Sequence, residues 1–367
     1  MSEAKPMRVL CVVPRGLTGR GGIETLFSHV DEYLRVHPDA GIEMEFLPSR
    51  GDASGAAWVF HFPFAFLRYA WRVASRRYDI VHLNAATNAS AWRKAAMQWV
   101  ARLAGCATVI HFHGSAFPKP DDPRLGWVPV LRHLFERANA IIVLGSYWRG
   151  FVSRFYDMPP ERFDVVANGV ADFAPEAPQP READTPVRLL FAGNLTDAKG
   201  AGVLLEAFAL LPAGLPPWHA TFAGTGDVAT FRERTQQLGL SSNVEFTGWV
   251  ARDAILPLYR RADIVVLPSR NEVLPVCLLE GACAGAALIA TPVGSVADVL
   301  HDGSNGLVVA PDDPDRLAGA LAELIGDGAR REAFRAASRE IYISHFRLEA
   351  MIEALRNVYR KALSGKG

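Results

Sequence analysis

The sequence predicts an α/β protein of two Rossmann-like domains, each built on a parallel sheet with helices on both faces, which face a central cleft. Three observations support this prediction. The chain has 367 residues, enough for about two domains, and half of them are hydrophobic. Short apolar runs alternate with helical patterns along its length, which is typical of parallel sheets. Residues 173–186 are rich in Pro, Glu and Ala, lack periodicity and predict a linker.

Each half of the chain contains six candidate strands. They are short apolar runs without strict alternation, as expected of strands that are buried on both faces. In the first domain, residues 1–172, they are residues 8–13, 44–47, 80–83, 108–112, 140–144 and 164–167. In the second domain, residues 187–345, they are residues 187–192, 220–223, 244–247, 264–267, 287–290 and 306–309. The tail, residues 329–363, predicts two helices that are interrupted near His345.

Composition and charge argue against several classes of protein. Basic and acidic residues number 39 each, and residues 1–172 hold only 20 basic residues against 16 acidic ones, so a general nucleic-acid partner is not expected. No apolar run is long enough to span a bilayer, and the N-terminus lacks the pattern of a signal peptide, so we expect a cytoplasmic protein. The four cysteines have no metal-ligand spacing and are expected to be reduced and buried.

Two glutamates eight positions apart are the most informative feature of the second half. Glu272 follows the predicted strand at 264–267, and Glu280 is expected about two turns into the next helix. The start of that helix offers backbone N–H groups and a positive dipole end, which suit a phosphate. Carboxylates for sugar hydroxyls beside donors for a diphosphate predict a nucleotide-sugar site.

Three further loops follow predicted strands and contain candidate site residues. Lys199 lies beside a predicted helix N-terminus; alone it would be an ordinary surface lysine, but with the glutamate pair it favours phosphate binding. Gly21 and Gly22, in the first loop, would let a ligand approach the backbone. His113 ends the fourth strand and is a candidate for sugar contact. His82 and His111 are predicted to be packed or solvated residues.

Two weaker motifs have simpler explanations. Residues 224–229 match the dinucleotide pattern G-x-G-x-x-A, but no acidic residue follows at a convincing strand end, so we predict a tight turn. Asp313 and Asp315 match a metal-binding Asp-x-Asp, yet the surrounding sequence favours a helix N-cap. No metal site is predicted.

A basic and aromatic segment lies in the first half. Seven basic residues between positions 68 and 102 face one acidic residue, Asp79, and nine Trp, Phe and Tyr residues surround them. Such a mixture on amphipathic helices suits an anionic membrane surface. Two core-packed helices with solvated basic faces would fit the pattern equally well.

Taken together, these residues resemble the retaining glycosyltransferases of family four (glycosyl transferases group 1, the polysaccharide-biosynthesis type), which have the GT-B fold. The resemblance covers nearly the whole chain, and the pair Glu272-x7-Glu280 with the upstream lysine loop is its most specific part. Its other segments are residues 21–24, 113–114, 168–170, 193–200 and 294–306.

The resemblance implies a role for each candidate side chain. Glu272 would hold a hydroxyl of the transferred sugar, Lys199 would neutralise the departing diphosphate, and His113 would contact the sugar. These three are the implied catalytic residues, and Glu280 would hold the ribose hydroxyls. Neither a metal nor a cofactor is implied.

Backbone groups are implied to hold the rest of the donor. They lie beneath the phosphates, at the helix N-terminus and beside the base: Gly21, Gly22, Leu274, Pro275, Val276, Cys277, Gly248 and Val250. Pro275 has no N–H, so the donor array must differ from that of relatives with glycine nearby. Asn194 stands where the family usually has an arginine, and Arg15 and Arg20 are the candidates to replace its charge.

The implied activity is retaining, metal-independent transfer of a hexose from a nucleotide sugar to a saccharide or polyprenyl-linked acceptor in envelope polysaccharide or glycoconjugate synthesis. A UDP-sugar is favoured as the donor, and a GDP-sugar stays open. The first domain would bind the acceptor and the second the donor, while residues 346–367 would form a helix that packs back on the first domain. A lipid-linked acceptor would imply a peripheral position of the protein on the inner face of the cytoplasmic membrane. Two alternatives stay open: a sugar-nucleotide epimerase of the same architecture, and a non-catalytic nucleotide-sugar-binding protein.

Overall fold

The computed structural model describes residues 5–17, 21–49, 58–115, 117, 125–174 and 185–365. The chain divides into two compact units. Unit 1 comprises Met1–Gly169 and Leu348–Gly367, and unit 2 comprises Val170–Arg347. Most of the expected linker, residues 175–184, lies outside the described residues, as does Arg20.

Unit 1 contains a sheet of six parallel strands in the order β2-β1-β3-β4-β5-β6. The strands are β1 (Met7–Val13), β2 (Ile42–Pro48), β3 (Ile80–Ala85), β4 (Ala107–Phe112), β5 (Ala140–Val143) and β6 (Phe163–Val165). The helices are α1 (Gly22–Val36), α2 (Trp58–Ser75), α3 (Ala89–Leu103), α4 (Val128–Glu136) and α5 (Ser146–Tyr156). Every residue of β3, β4 and β5 is buried, which explains why their sequences are apolar without alternation.

Unit 2 contains a second parallel sheet of six strands, in the order β12-β11-β10-β7-β8-β9. The strands are β7 (Val187–Ala192), β8 (Trp218–Ala223), β9 (Val244–Gly248), β10 (Ile264–Leu267), β11 (Ala287–Ala290) and β12 (Gly306–Val308). The helices are α6 (Ala201–Ala209), α7 (Val228–Gln237), α8 (Arg252–Arg261), α9 (Val276–Cys283), α10 (Pro314–Gly326) and α11 (Gly328–His345). This is the strand order of dinucleotide-binding sheets, and its direction reverses between β7 and β10.

The predicted fold class is confirmed in both units. All twelve predicted strands are present, and their bounds differ from the expected ones by at most two residues. The break expected near His345 is also present, because α11 ends there.

The last helix, α12 (Leu348–Ser364), belongs to unit 1 and packs against β4, β5 and α1. Its residues Leu355 and Tyr359 are fully buried, and the Tyr359 hydroxyl lies 2.7 Å from His82 Nδ1. Lys361 Nζ forms an ion pair of 2.7 Å with Asp164 at the end of the sheet. Burial of apolar side chains and these polar contacts together hold α12 on unit 1.

Candidate functional site

The turn that contains Lys199 is held against the end of β10. Gly200 has φ +74°, and a Cβ atom there would overlap the carbonyl oxygen of Pro268. Arg270 N–H donates to the Ala198 carbonyl at 2.9 Å. Only glycine allows the two loops to approach so closely with this backbone conformation. The result is that the loops after β7 and β10, on either side of the strand-order reversal, lie side by side.

Lys199 and Glu272 meet at this junction. Lys199 Nζ lies 2.5 Å from Glu272 Oε1, and Ser269 Oγ donates to the same oxygen at 2.7 Å. Glu272 is only 7% exposed. A buried carboxylate is stable when it is paired and hydrogen-bonded, and here one oxygen accepts from both a cation and a hydroxyl.

The segment after β11 supports the Glu272 loop from the other side. Gly294 has φ +56°, and a Cβ atom there would overlap the carbonyl oxygen of Glu272. The N–H of Ser295 donates to the Val273 carbonyl at 2.9 Å. The loop is therefore fixed through its backbone, and the Glu272 side chain is held by separate contacts.

Glu280 lies in α9 and faces α8. It is the fifth residue of the helix, so it lies about one turn from the start and the expectation of two turns was wrong, because α9 begins only at Val276. Burial raises the pKa of Glu280, while a hydrogen bond from Tyr259 and the positive charge of Arg252 act in the opposite direction. Burial, and then the nearby charge of Glu280, raise the pKa of Tyr259 well above its usual range, so the phenol remains a donor.

The start of α9 supplies backbone donors close in sequence to Glu272. Pro275 is the N-cap residue and makes no side-chain cap, and the N–H of Leu278 bonds back to the Pro275 carbonyl at 3.1 Å. The first N–H groups of a helix have no acceptor within it, and these are the groups of Val276 and Cys277. Leu274 is buried, whereas Cys277 is half-buried rather than fully buried as expected, because it lies in the first turn.

The loops after β7, β8 and β9 run together at the same edge of the sheet. Thr225 Oγ1 donates to Asn194 Oδ1 at 2.8 Å, and the N–H of Gly224 donates to the Gly248 carbonyl at 2.9 Å. A Cβ atom at Gly224 would overlap the Gly193 carbonyl oxygen, so this glycine serves a tight turn, as predicted. Val250, two residues beyond β9, is half-buried.

The other candidate residues lie in unit 1. Gly21 and Gly22 begin α1, and neither has a positive φ. A Cβ atom at Gly21 would overlap the Glu24 carboxylate, whereas one at Gly22 would meet no described atom within 4 Å. Arg15 is half-buried, and among the described residues its Nε has no hydrogen-bond partner.

His113 is half-buried at the end of β4, beside a buried row of histidines. His82 and His111 are fully buried, which is the packed alternative of the two predicted for them, and His111 Nδ1 lies 3.2 Å from His82 Nε2. Burial lowers the pKa of His113 to about 3, with a further contribution from His82, so the ring is neutral near pH 7. Its Nε2 lies 2.8 Å from Asn84 Oδ1.

Three residues that hold the predicted side chains were missed in the sequence. Ser269 contacts Glu272, Tyr259 contacts Glu280, and Asn84 contacts His113. None belongs to a recognised motif. The weak signal available was position, since Ser269 lies in the Glu272 loop and Asn84 lies near the carboxyl end of β3, next to the end of β4.

The basic and aromatic segment has a mixed surface, and its contact with a membrane stays a prediction. Lys94 and Arg93 are buried, and Arg72 and Arg76 pair with Glu45, whereas Arg68, Arg77 and Arg102 are exposed together with large apolar side chains. We call the following exposed side chains the aromatic face: Phe60, Phe64, Leu67 and Trp71 of α2, with Trp92, Trp99 and Leu103 of α3. Across the described ranges, no helix combines the length and the apolarity needed to cross a bilayer.

Asp313 accepts a hydrogen bond from the N–H of Arg316 at 2.9 Å and so caps α10, which confirms the predicted N-cap. Within the part of the chain that the structure describes, no three His, Cys, Asp or Glu side chains are grouped so as to hold a metal ion.

Comparison with known proteins gives matches along most of the chain. The family model for glycosyl transferases group 1 matches residues 172–341, and that for Glycosyltransferase Family 4 matches residues 30–172. The D-inositol 3-phosphate glycosyltransferase of Acidothermus cellulolyticus is 28% identical over 312 residues, which are 78% of this chain and 68% of that protein.

Solved structures share the fold at low sequence identity. The sucrose-phosphate synthase of Thermosynechococcus elongatus superposes with a TM-score of 0.79 at 18% identity, covering 98% of this chain and 99% of the other. Anabaena Alr3699/HepE, solved in complex with UDP-glucose, gives a TM-score of 0.73 at 18% identity, covering 96% and 98%. Both likenesses concern the fold.

Proposed function

We propose that this chain, which is a glycosyltransferase of family four with the GT-B fold, transfers a hexose from a UDP-sugar to a saccharide acceptor and retains the anomeric configuration. The observation that carries the proposal is the contact between Lys199 and Glu272 at the strand-order reversal of unit 2, close in sequence to the start of α9. A cation, a buried carboxylate and helix N–H groups are the three elements that a sugar diphosphate requires.

The diphosphate would be held by Lys199 and by the N–H groups of Val276 and Cys277, with Leu274, Pro275, Gly21 and Gly22 as its other neighbours. A charged hydrogen bond of this kind contributes about 1.5–3 kcal/mol. The positive end of a helix adds to it, typically by about 0.3–1 kcal/mol. Fixed positive groups of this type stabilise the charge of the leaving diphosphate, so we propose that the reaction proceeds without a metal ion.

Glu280 would hold the ribose hydroxyls, and residues 248–250 would lie beside the base. The hydrogen bond from Tyr259 supports this role because it orients the Glu280 carboxylate. The choice of UDP rests on Anabaena Alr3699/HepE, which shares the fold and was solved in complex with UDP-glucose. Asn194, held by Thr225, takes the position at which an arginine is usual in the family, so the phosphate site would depend more strongly on Lys199.

A front-face substitution accounts for retention with these residues. The bond between the anomeric carbon and the phosphate oxygen breaks as the acceptor oxygen bonds to the same face, and the acceptor proton passes to the leaving phosphate. Glu272 holds a sugar hydroxyl through its carboxylate, and Lys199 stabilises the phosphate charge. By resemblance to the family, His113 would contact the sugar.

The proposal is tested first by binding and then by product analysis. The melting temperature should rise with UDP or a UDP-sugar and should rise much less with GDP or ADP, because a ligand of the native state stabilises it. Lys199→Ala should lose the shift. Lys361→Ala is the matched control, since it removes another lysine–carboxylate pair, of 2.7 Å, from α12.

Product analysis separates the alternatives. A glycosylated acceptor supports the proposal, and a converted donor sugar without transfer would indicate an epimerase. Binding without any product, across a panel of saccharide and polyprenyl-linked acceptors, would indicate a non-catalytic binding protein. No shift with any nucleotide would count against the donor site itself.

We further propose that the acceptor is lipid-linked and is met at an anionic membrane surface through the aromatic face. Its four residues on α2 are spaced by four, three and four positions, so they lie on one side of that helix. Trp71 is 64% exposed and Trp99 is 66% exposed. Exposed apolar patches of this kind mark interaction sites, and Trp and Phe beside the exposed Arg68 and Arg77 suit the headgroup region.

Vesicle flotation tests the membrane proposal. The protein should float with vesicles that contain phosphatidylglycerol and less with pure phosphatidylcholine. Replacing both Trp71 and Trp99 by Gln should abolish flotation, whereas Tyr147→Gln, which removes an exposed aromatic residue of α5, should not. A wild-type protein that stays in solution with both vesicle types would refute the membrane contact and favour a water-soluble acceptor.

A further inference from the structure

We infer that Asn84 is a positioning residue, which fixes His113 in the tautomer with its proton on Nε2 and leaves Nδ1 as a hydrogen-bond acceptor. The tautomer follows from contacts within unit 1 alone. Its consequence for the reaction rests on the proposed function, in which His113 contacts the transferred sugar.

The orientation of the Asn84 amide is set by its partners in β1. The side chain is 2% exposed, and its Nδ2 lies 3.2 Å from the Val12 carbonyl oxygen and 3.4 Å from Cys11 Sγ. A carbonyl oxygen can only accept, so the NH2 group of the amide must face β1. Oδ1, which can only accept, therefore faces His113.

An acceptor at this place determines which ring nitrogen of His113 is protonated. Nε2 lies 2.8 Å from Asn84 Oδ1, so Nε2 must carry the hydrogen. Because burial lowers the pKa of His113 to about 3, the ring carries a single proton near pH 7 and Nδ1 is unprotonated. The hydrogen bond made by one nitrogen of a histidine thus decides the chemistry of the other.

The surroundings of His113 oppose other ring arrangements. The His111 ring packs on it with centroids 4.1 Å apart, and the backbone N–H of His113 donates to the Ala85 carbonyl at 2.8 Å. A ring flip would place a C–H group against Asn84 Oδ1 and would cost the hydrogen bond. Packing and hydrogen bonding therefore select the same orientation.

A fixed acceptor nitrogen has a consequence for specificity. It binds a sugar that presents a hydroxyl to it, and a donor sugar that lacks this hydroxyl would leave a partly buried nitrogen without a partner. Sites that hydrogen-bond a hydroxyl reject analogues without it strongly. Asn84 would therefore contribute to donor-sugar selection through His113, without contact with the sugar.

Long-range proton–nitrogen NMR spectra of the full chain with labelled histidines test the tautomer directly, without substrate. His113→Gln identifies the signals of His113 by their loss. The wild type should show a neutral ring with the proton on Nε2 at neutral pH. Asn84→Leu should replace this pattern by a mixture of tautomers, whereas Gln98→Met, which removes another buried amide of unit 1 bonded to the Leu134 carbonyl at 2.9 Å, should leave it unchanged.

A proton on Nδ1 in the wild type, or an unchanged pattern in Asn84→Leu, would overturn the inference. If Asn84→Leu does not fold, Asn84→Asp serves instead, because a carboxylate still accepts from Nε2 and should preserve the tautomer; a change in that variant would also overturn it.

Kinetics then test the consequence for the reaction. Asn84→Leu should lower kcat/KM for the donor by about 10-fold, the effect of one hydrogen bond, and leave the melting shift with UDP unchanged. Unchanged kinetics together with a changed tautomer would refute the role in sugar selection. Absence of transfer by the wild type would refute the proposed function, while the NMR result would still decide the tautomer.

Discussion

The pair formed by Lys199 and Glu272 gives the sharpest prediction, because it should act on stability and on turnover in different ways. We consider a cycle of three variants: Lys199→Met, Glu272→Gln and both together. The two side chains are 2.5 Å apart, and the carboxylate is buried while the lysine is about one-third exposed. Methionine and glutamine preserve most of the volume of the residues that they replace, so the cycle mainly removes charge.

The expected magnitude follows from this burial. Lys199→Met leaves a buried carboxylate that retains its hydrogen bond from Ser269 but has lost its cation. Loss of a charged partner costs about 1.5–3 kcal/mol, and solvent around the lysine reduces this, so we expect about 1–2 kcal/mol. A change of about 1 kcal/mol lowers the melting temperature of a unit of this size by about 2–4 °C. The double variant should recover much of this loss, because no unpaired charge stays buried.

Turnover should show no such recovery. Each single variant is expected to lose about 100-fold to 1000-fold in kcat, the range for removal of one group that stabilises developing charge. The double variant should be no more active than either, because both groups act on the same step. Urea unfolding measures the stability of the variants, and steady-state transfer from a UDP-sugar measures their turnover. If the double variant loses the sum of the two single losses of stability, within about 0.5 kcal/mol, the two side chains do not form a pair. If the double variant regains turnover, the assigned roles are refuted.

Three further predictions concern unit 2. Gly200→Ala should destabilise it by about 2 kcal/mol in urea unfolding, because φ is +74° and a Cβ atom meets Pro268; an unchanged midpoint would contradict the close approach. Glu280 has a raised pKa, so its contribution to stability is favourable below its ordinary value of 4.5 and is lost as pH rises above it. Glu280→Gln should therefore gain melting temperature relative to wild type as pH rises from about 4.5, and a pH-independent difference would refute this. Asp313→Ala should cost about 1 kcal/mol of stability without effect on UDP binding, since it removes a helix cap; loss of UDP binding would argue for a ligand role.

The fold could be predicted almost completely because its signals are local. Strands such as β10 and β11 are buried along their whole length, so their sequences are continuous apolar runs that a reader can recognise without a template. The ends of helices and strands were predicted less accurately where burial does not set them. We expected Glu280 about two turns into α9, but Pro275 is the N-cap residue and the helix begins only at Val276. Glu280 therefore lies about one turn from the start of α9.

The surface of α2 and α3 could not be predicted because helical patterns do not state which face is covered. Lys94 contributes to the basic composition of α3, but its side chain is buried, whereas Trp92 and Trp99 on the same helix are exposed. A basic and aromatic composition is compatible with a charged surface or with an apolar one. Only the packing of α3 against its neighbours distinguishes them.

The candidate site has a similar division between what is local and what is not. The sequence makes Lys199, Glu272 and His113 candidates because each follows a predicted strand, at the edge where ligands of such sheets bind. The residues that hold these side chains in place, which we call supports, belong to no motif, and some lie far away in the sequence. Asn84, for example, is 29 positions from His113. Each support also has a second contact that fixes it, as Asn84 has with Val12. Substitution of a support should therefore misorient a chemical group that is still present, which predicts reduced specificity with partial activity. Substitution of Lys199 or Glu272 removes the group itself and should lower turnover by about 100-fold to 1000-fold.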